Sequence, residues 1–176
     1  AARLLARLEA LLPGQGRLLD IGCGDGALLT VARARGWGVT GIEASARLVA
    51  MLHAEGWADC VAPGRAEMLA PPADGYDLVL LLNVLEHLEM PAVALERAAQ
   101  ALRPGGLLAV HVPNYAWGRW FGERWAQLEP LDHLYYLTPR TLRAMLIKAG
   151  LAPLDRFSLP GAAPWRAAVQ RGLNAL

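Results

Sequence analysis

The chain has 176 residues, 55% of them hydrophobic and 19% charged, with a formal net charge of +1. That length suits one domain with a full core, and that composition excludes a disordered chain. A balance so close to neutral argues against a dedicated nucleic-acid binder, which carries a basic stripe.

In chain order, an opening helix carries Leu4, Leu5, Leu8, Leu11 and Leu12 on one face and stops at Pro13-Gly14. Arg17 to Ile21 reads as a first strand running into the turn Gly22-Cys23-Gly24-Asp25-Gly26. A helix to about Arg35 and a strand from Gly38 to Ile42 follow. Ser45 caps a helix that ends at Gly56, and Asp59 to Ala62 is a short strand. The run from Tyr76 to Asn83 is nearly all apolar, as a central parallel strand covered on both faces requires.

Pro91 opens a further helix, broken at Arg103-Pro104-Gly105-Gly106, and Leu107 to Val112 is a fifth strand. Residues 114–137 hold Trp117, Trp120, Phe121, Trp125, Tyr135 and Tyr136 with no clean period, the mark of an irregular aromatic lid or insertion. Thr138-Pro139 begins a capped helix ending at Gly150, and Leu151 to Leu159 is a sixth strand. Strands alternating with helices imply an α/β fold, a doubly wound Rossmann-like and mostly parallel sheet with helices on both faces. Residues 1–159 form this domain, and 160–176 form a helical tail.

The longest apolar stretch is interrupted by Asn83 and too short to span a bilayer, so the expectation is a cytoplasmic protein without stable membrane insertion. Cys23 and Cys60 supply neither a disulfide framework nor a metal pair, and read as free thiols.

The chemistry concentrates at the first strand's carboxyl end. Gly22, Gly24 and Ala27 alone would also satisfy a dinucleotide fingerprint. The acids are more telling. Asp20 ends the strand and Asp25 stands at the helix entrance, where a dinucleotide would place its pyrophosphate. Each would be repelled by about 2–4 kcal/mol at ~4–8 Å and an effective dielectric near 20. A ligand carrying an ammonium and a sulfonium would be attracted instead, and S-adenosylmethionine has both. Glu43, ending the second strand, suits a pair of ribose hydroxyls.

The ordered blocks LLDIGCGDG, GIEAS, YDLVLLLNVLEHL and LRPGGLLAVHVPN resemble the class I S-adenosylmethionine-dependent methyltransferases, in the small-molecule branch with the ubiquinone-pathway O-methyltransferases. The resemblance implies S-adenosylmethionine as cofactor. Asp20, Gly22, Cys23 and Gly24 would hold its methionine end, Glu43 its ribose, and Ala44 would pack beside the adenine. Gly64-Arg65-Ala66-Glu67 matches the loop bordering the adenine, where many members have an acid in place of Arg65; that leaves Glu67 or a backbone group for the adenine amine. Asn83 matches the fourth-strand end near the cofactor's amino group. Members usually finish the sheet with an antiparallel hairpin. Pro160 and Pro164 suggest that here the last antiparallel strand is missing, and that the exposed sixth strand favours a homodimer.

Methyl transfer to a hydroxyl needs a proton acceptor. His133 and His87 are the catalytic candidates, with Glu86 beside them, and Asp132 is placed to orient His133. His111 reads as a core residue and His53 as a helix-surface residue. No metal is expected, since these groups do not share one helix face. The acceptor is read as a small or lipid-like molecule, methylated at O with N or C as further options. The competing readings are a nicotinamide-dependent oxidoreductase and a non-catalytic S-adenosylmethionine-binding partner module.

Overall fold

The computed structural model describes residues 1–70, 72–121, 124, 128–157 and 166–171. The elements are α1 (Ala2–Glu9), β1 (Arg17–Ile21), α2 (Ala27–Ala34), β2 (Gly38–Glu43), α3 (Ala46–Leu52) and β3 (Val61–Pro63). After these come β4 (Tyr76–Leu82), α4 (Pro91–Ala101), β5 (Leu102–His111), α5 (Tyr115–Phe121), α6 (Pro139–Lys148), β6 (Leu151–Phe157) and β7 (Arg166–Arg171). The strands form one sheet in the order β3-β2-β1-β4-β5-β7-β6. Strands β1 to β5 pair in parallel, and β7 runs antiparallel to both β5 and β6.

Period two along each strand divides the core between two faces. Leu19, Ile21, Val79, Leu81, Leu108 and Val110 pack under α4 and α6, against Leu95, Ala98, Leu142 and Leu146. Their neighbours Leu18, Leu78, Leu80 and Leu107 face the other way, against Leu4, Leu5 and Leu8 of α1 and Leu29 of α2. That two-sided burial is why β4 reads as an unbroken apolar run.

The chain winds outward from β1 to β3, then crosses back to β4, so β1 and β4 are neighbours reached from opposite directions. Such a reversal opens a crevice at the strands' carboxyl ends.

Three boundaries differ from expectation for identifiable reasons. Strand β5 begins at Leu102, because Tyr76 pairs with Leu102 before the register shifts to Leu78 and Leu107. The Pro-Gly-Gly run is thus an irregularity inside a strand. The aromatic stretch contains α5, started by Asn114, whose Oδ1 accepts the Ala116 N–H at 3.0 Å; a seven-residue helix is too short to print a period. The tail is corrected from helix to strand over Arg166–Arg171, and with it the expected loss of the last antiparallel strand. Its state is set by backbone pairing on both sides, Leu107 with Gln170 and Ala152 with Gln170, which local composition does not signal. Trp125, Leu159, and Pro160 to Trp165 lie outside the described residues. No described helix is long and apolar enough to cross a membrane.

The turn after β1 is the tightest local requirement. Gly22 has φ +75°, and a Cβ there would sit 2.5 Å from Val84 Cγ2. Gly22→Ala is therefore expected to cost about 1–3 kcal/mol, measured by urea unfolding, with a larger loss for Gly22→Val.

Candidate functional site

The turn after β1 folds over the end of β2: the Gly22 and Cys23 N–H groups both donate to the Ile42 carbonyl, at 2.7 and 3.2 Å. This leads Gly24 to Glu43. The Gly24 N–H donates to Glu43 Oε2 at 2.9 Å and the Ser45 N–H to Oε1 at 2.8 Å. Each carboxylate oxygen is oriented by one bond and keeps capacity for another donor. Ser45 also caps α3 through the Leu48 N–H. Asp25 Oδ1 accepts the Ala27 N–H at 3.1 Å, so its local role is at the start of α2.

Asp20 is 3% exposed. Burial, and then the nearby Glu43 carboxylate, push its carboxyl up to about 7. Burial and the same two acids push the Cys23 thiol up to about 12. Cys23 is therefore a packed thiol with no nucleophilic role at neutral pH.

A cleft of about 310 Å³ opens at this edge. Ile21 and Gly22 line it after β1, Glu43 and Ala44 after β2, Gly64 to Ala66 after β3, and Asn83, Val84, His87 and Leu88 after β4. Asn83 departs from the strand with φ +57°, its N–H donating to the His111 carbonyl at 2.9 Å and its Oδ1 bonded to His111 Nδ1. His111 is buried, as expected, but its ring serves a cleft residue. Glu67 does not reach the cleft wall. It is buried behind it, its carboxylate oxygens accept no hydrogen bond, and Arg65 lies 3.5 Å from Oε1.

After β4 the fold joins residues far apart in sequence. His87 Nδ1 lies 3.0 Å from the Asp132 carbonyl and 3.4 Å from its Oδ2. Asp132 thus contacts His87, and its carboxylate also lies within 4.8 Å of the ring nitrogen of His133, the histidine the sequence suggested. The N–H groups of Leu134 and Tyr135 donate to the Glu86 carbonyl, and the Tyr135 hydroxyl to the Glu89 carbonyl at 3.1 Å. His133 is buried, its ring 4.9 Å from that of His87 and 6.0 Å from that of Tyr136. Glu86 is 1% exposed, and burial pushes its carboxyl up to about 7. Glu86, His87 and His133 each offer one donor atom, all within 4.8 Å of one another. That is a donor set suited to a divalent cation, assembled by the fold rather than by helix spacing.

Sheet order and the cleft at the strands' carboxyl ends define a doubly wound α/β domain with a ligand site at its switch point. A methyltransferase-domain family model matches residues 1–155. The chain belongs to this family of S-adenosylmethionine-dependent methyltransferases. Ubiquinone biosynthesis O-methyltransferase from Cereibacter sphaeroides is 36% identical over 170 residues, 89% of this chain and 68% of that protein. The protein of the same name from Caulobacter vibrioides is 35% identical, over 81% of this chain and 62% of its own. Among solved structures, an S-adenosylmethionine-dependent methyltransferase from Mesorhizobium loti matches with TM-score 0.77 and 22% identity, covering 97% of this chain and 98% of that one. An amino pentose methyltransferase from Micromonospora echinaspora matches with TM-score 0.78 and 19% identity, covering 97% of this chain and 89% of its own. The family assignment favours methyl transfer over the nicotinamide and partner-module readings.

Asp20 makes one consequence measurable. A buried carboxyl with a raised pKa holds its proton more tightly folded than unfolded. The stability this supplies is full below about pH 4 and is lost as pH rises through about 7. In ligand-free protein the unfolding free energy of Asp20→Asn, measured by urea denaturation, should therefore gain on wild type between about pH 4.5 and 7.5, by up to about 1.4 kcal/mol per pH unit. A difference independent of pH would rule out burial as the cause.

Proposed function

We propose that the cleft binds S-adenosylmethionine and that the enzyme methylates an oxygen of a small or lipid-like acceptor, with His87 as proton acceptor. In this reading Asp20, Gly22, Cys23 and Gly24 form the methionine end of the site, Glu43 receives the ribose hydroxyls, and Ala44 and Ala66 flank the base. The fit rests on three features: the turn at Gly22 leaves no room for a side chain, Glu43 has spare acceptor capacity, and Asp20 is a desolvated carboxylate suited to a cation. When bound, the cofactor supplies a sulfonium methyl already activated for in-line transfer. The residues of this chain have the tasks of alignment, water exclusion and proton removal.

The observation that carries the acceptor side is the hold on His87. His87 lines the cleft, and with Nδ1 donating to the Asp132 carbonyl its Nε2 is the ring nitrogen left to accept a proton. His133 packs beside it, and Tyr136 packs against His133. An O-acceptor is supported by relatives named ubiquinone biosynthesis O-methyltransferases. The same reading makes the enzyme cytoplasmic, taking its acceptor from solution or from a membrane surface, and a homodimer through the β6 edge.

Calorimetry with S-adenosylhomocysteine tests the cofactor site: micromolar binding is expected, weakened about tenfold or more in Asp20→Ala and in Glu43→Ala. Folded wild-type protein that binds none would overturn the reading. For His87, transfer of labelled methyl to a panel of phenolic acceptors should fall about 10²–10⁴-fold in His87→Gln while S-adenosylhomocysteine still binds. Unchanged turnover in that variant would remove His87 from the chemistry.

A further inference from the structure

We propose that Arg65 reads the edge of the cofactor's base formed by N7 and the group at position 6, as a hydrogen-bond donor, so that this cleft accepts a 6-oxo purine nearly as well as adenine. The inference rests on the cofactor reading above and concerns a different part of the site. After β3 the wall consists of Gly64, Arg65 and Ala66. Gly64 and Ala66 bring no polar side chain, and the Gly64 N–H is already donated to the Glu43 carbonyl at 3.0 Å. The side-chain chemistry of this stretch is therefore that of a guanidinium, five donors in a planar fork and no acceptor.

Glu67 is the acid paired with the fork. Its side chain is 3% exposed, its carboxylate oxygens receive no hydrogen bond, and Arg65 Nη2 stands 3.5 Å from Oε1. The contact is an ion pair without a hydrogen bond, and it draws the half-exposed guanidinium toward this carboxylate. Glu67 is off the wall and cannot itself take the base's amine, so it acts as a positioning residue through Arg65.

The two purine types present different edges to such a donor. Adenine offers an acceptor ring nitrogen beside a donor amine. A 6-oxo purine offers two acceptors, N7 and O6, which an arginine fork matches bidentately. A carboxylate at the same place would invert the preference by accepting from the amine and repelling the oxo group.

The test is calorimetry with S-adenosylhomocysteine and S-inosylhomocysteine, on wild type, Arg65→Asp, Arg65→Gln and Glu67→Gln, each checked for folding by thermal melt. Wild type should bind the two within about tenfold of each other, and Arg65→Asp should widen the ratio to about 100-fold or more in favour of the adenine compound. Arg65→Gln should fall between them. Glu67→Gln should shift the ratio in the same direction as Arg65→Asp, whereas a merely structural Glu67 would change both affinities by one factor and leave the ratio unmoved. A wild-type preference of about 100-fold for the adenine compound, or a ratio unaffected by Arg65→Asp, overturns the proposal alone. Absence of binding to either compound overturns the cofactor reading and this proposal together.

Discussion

In a parallel sheet every strand delivers its carboxyl end to the same edge, and β1 has a parallel partner on each side. Asp20 stands beside Gly41 of β2 and Leu80 of β4, and Ile21 beside Ile42 and Leu81. The residues that follow, Gly22, Glu43 and Asn83, therefore converge without any loop having to travel. The glycine turn, the acid after β2 and the left-handed Asn83 are all consequences of ending three adjacent strands at one place. Changing the pairing by one residue would turn Asp20 to the opposite face and separate it from Glu43.

That convergence sets an electrostatic cost. Asp20 is desolvated on the strand and has Glu43 as an acidic neighbour, and its raised pKa records both effects. Glu43 is better served, with a backbone donor on each oxygen. The two acids are thus unequal: one is fixed and able to accept further hydrogen bonds, the other is short of positive charge. A cationic ligand would relieve the second, and a pyrophosphate would worsen it. This asymmetry agrees with the methyltransferase family assignment and opposes a dinucleotide at the same glycines.

Much of this was legible in the sequence because it is local. Strands β1 and β2 and the helix caps at Ser45 and Thr138 follow from short-range pattern, and Asp20 and Glu43 stand out because strand ends carry acids where apolar residues would be expected. What was not legible depended on distant pairing. Strand β7 exists through its two neighbours, and the start of β5 through a register shift against Tyr76. Glu67 or a backbone group was left for the base amine because Arg65 stands where many relatives have an acid. Only the fold shows that a 3₁₀ turn over Ala66–Met68 buries Glu67 behind the wall and leaves Arg65 at the surface of the cleft. Asp132 shows the same limit: adjacency in the chain suggested His133, whose donor atom does lie within 4.8 Å of it, while the loop path also brings Asp132 to His87.

The loop path also links two tasks that the proposed chemistry requires. The segment from Glu129 to Leu137 is held by backbone bonds to the Glu86 carbonyl, by the Tyr135 hydroxyl on the Glu89 carbonyl, and by the Tyr115 N–H on the Leu137 carbonyl at 3.0 Å. Those bonds cover the turn bearing Glu86 and His87, and they place Asp132 against His87 Nδ1. Covering the turn and selecting the histidine tautomer are therefore one structural event. A segment that docked without Asp132 in place would exclude water yet leave the imidazole free to rotate. A segment that failed to dock would expose Glu86 to solvent and lower the carboxyl pKa that burial now raises. In the proposed chemistry, proton acceptance at His87 and coverage of its turn depend on the same few backbone hydrogen bonds, which also bury Glu86.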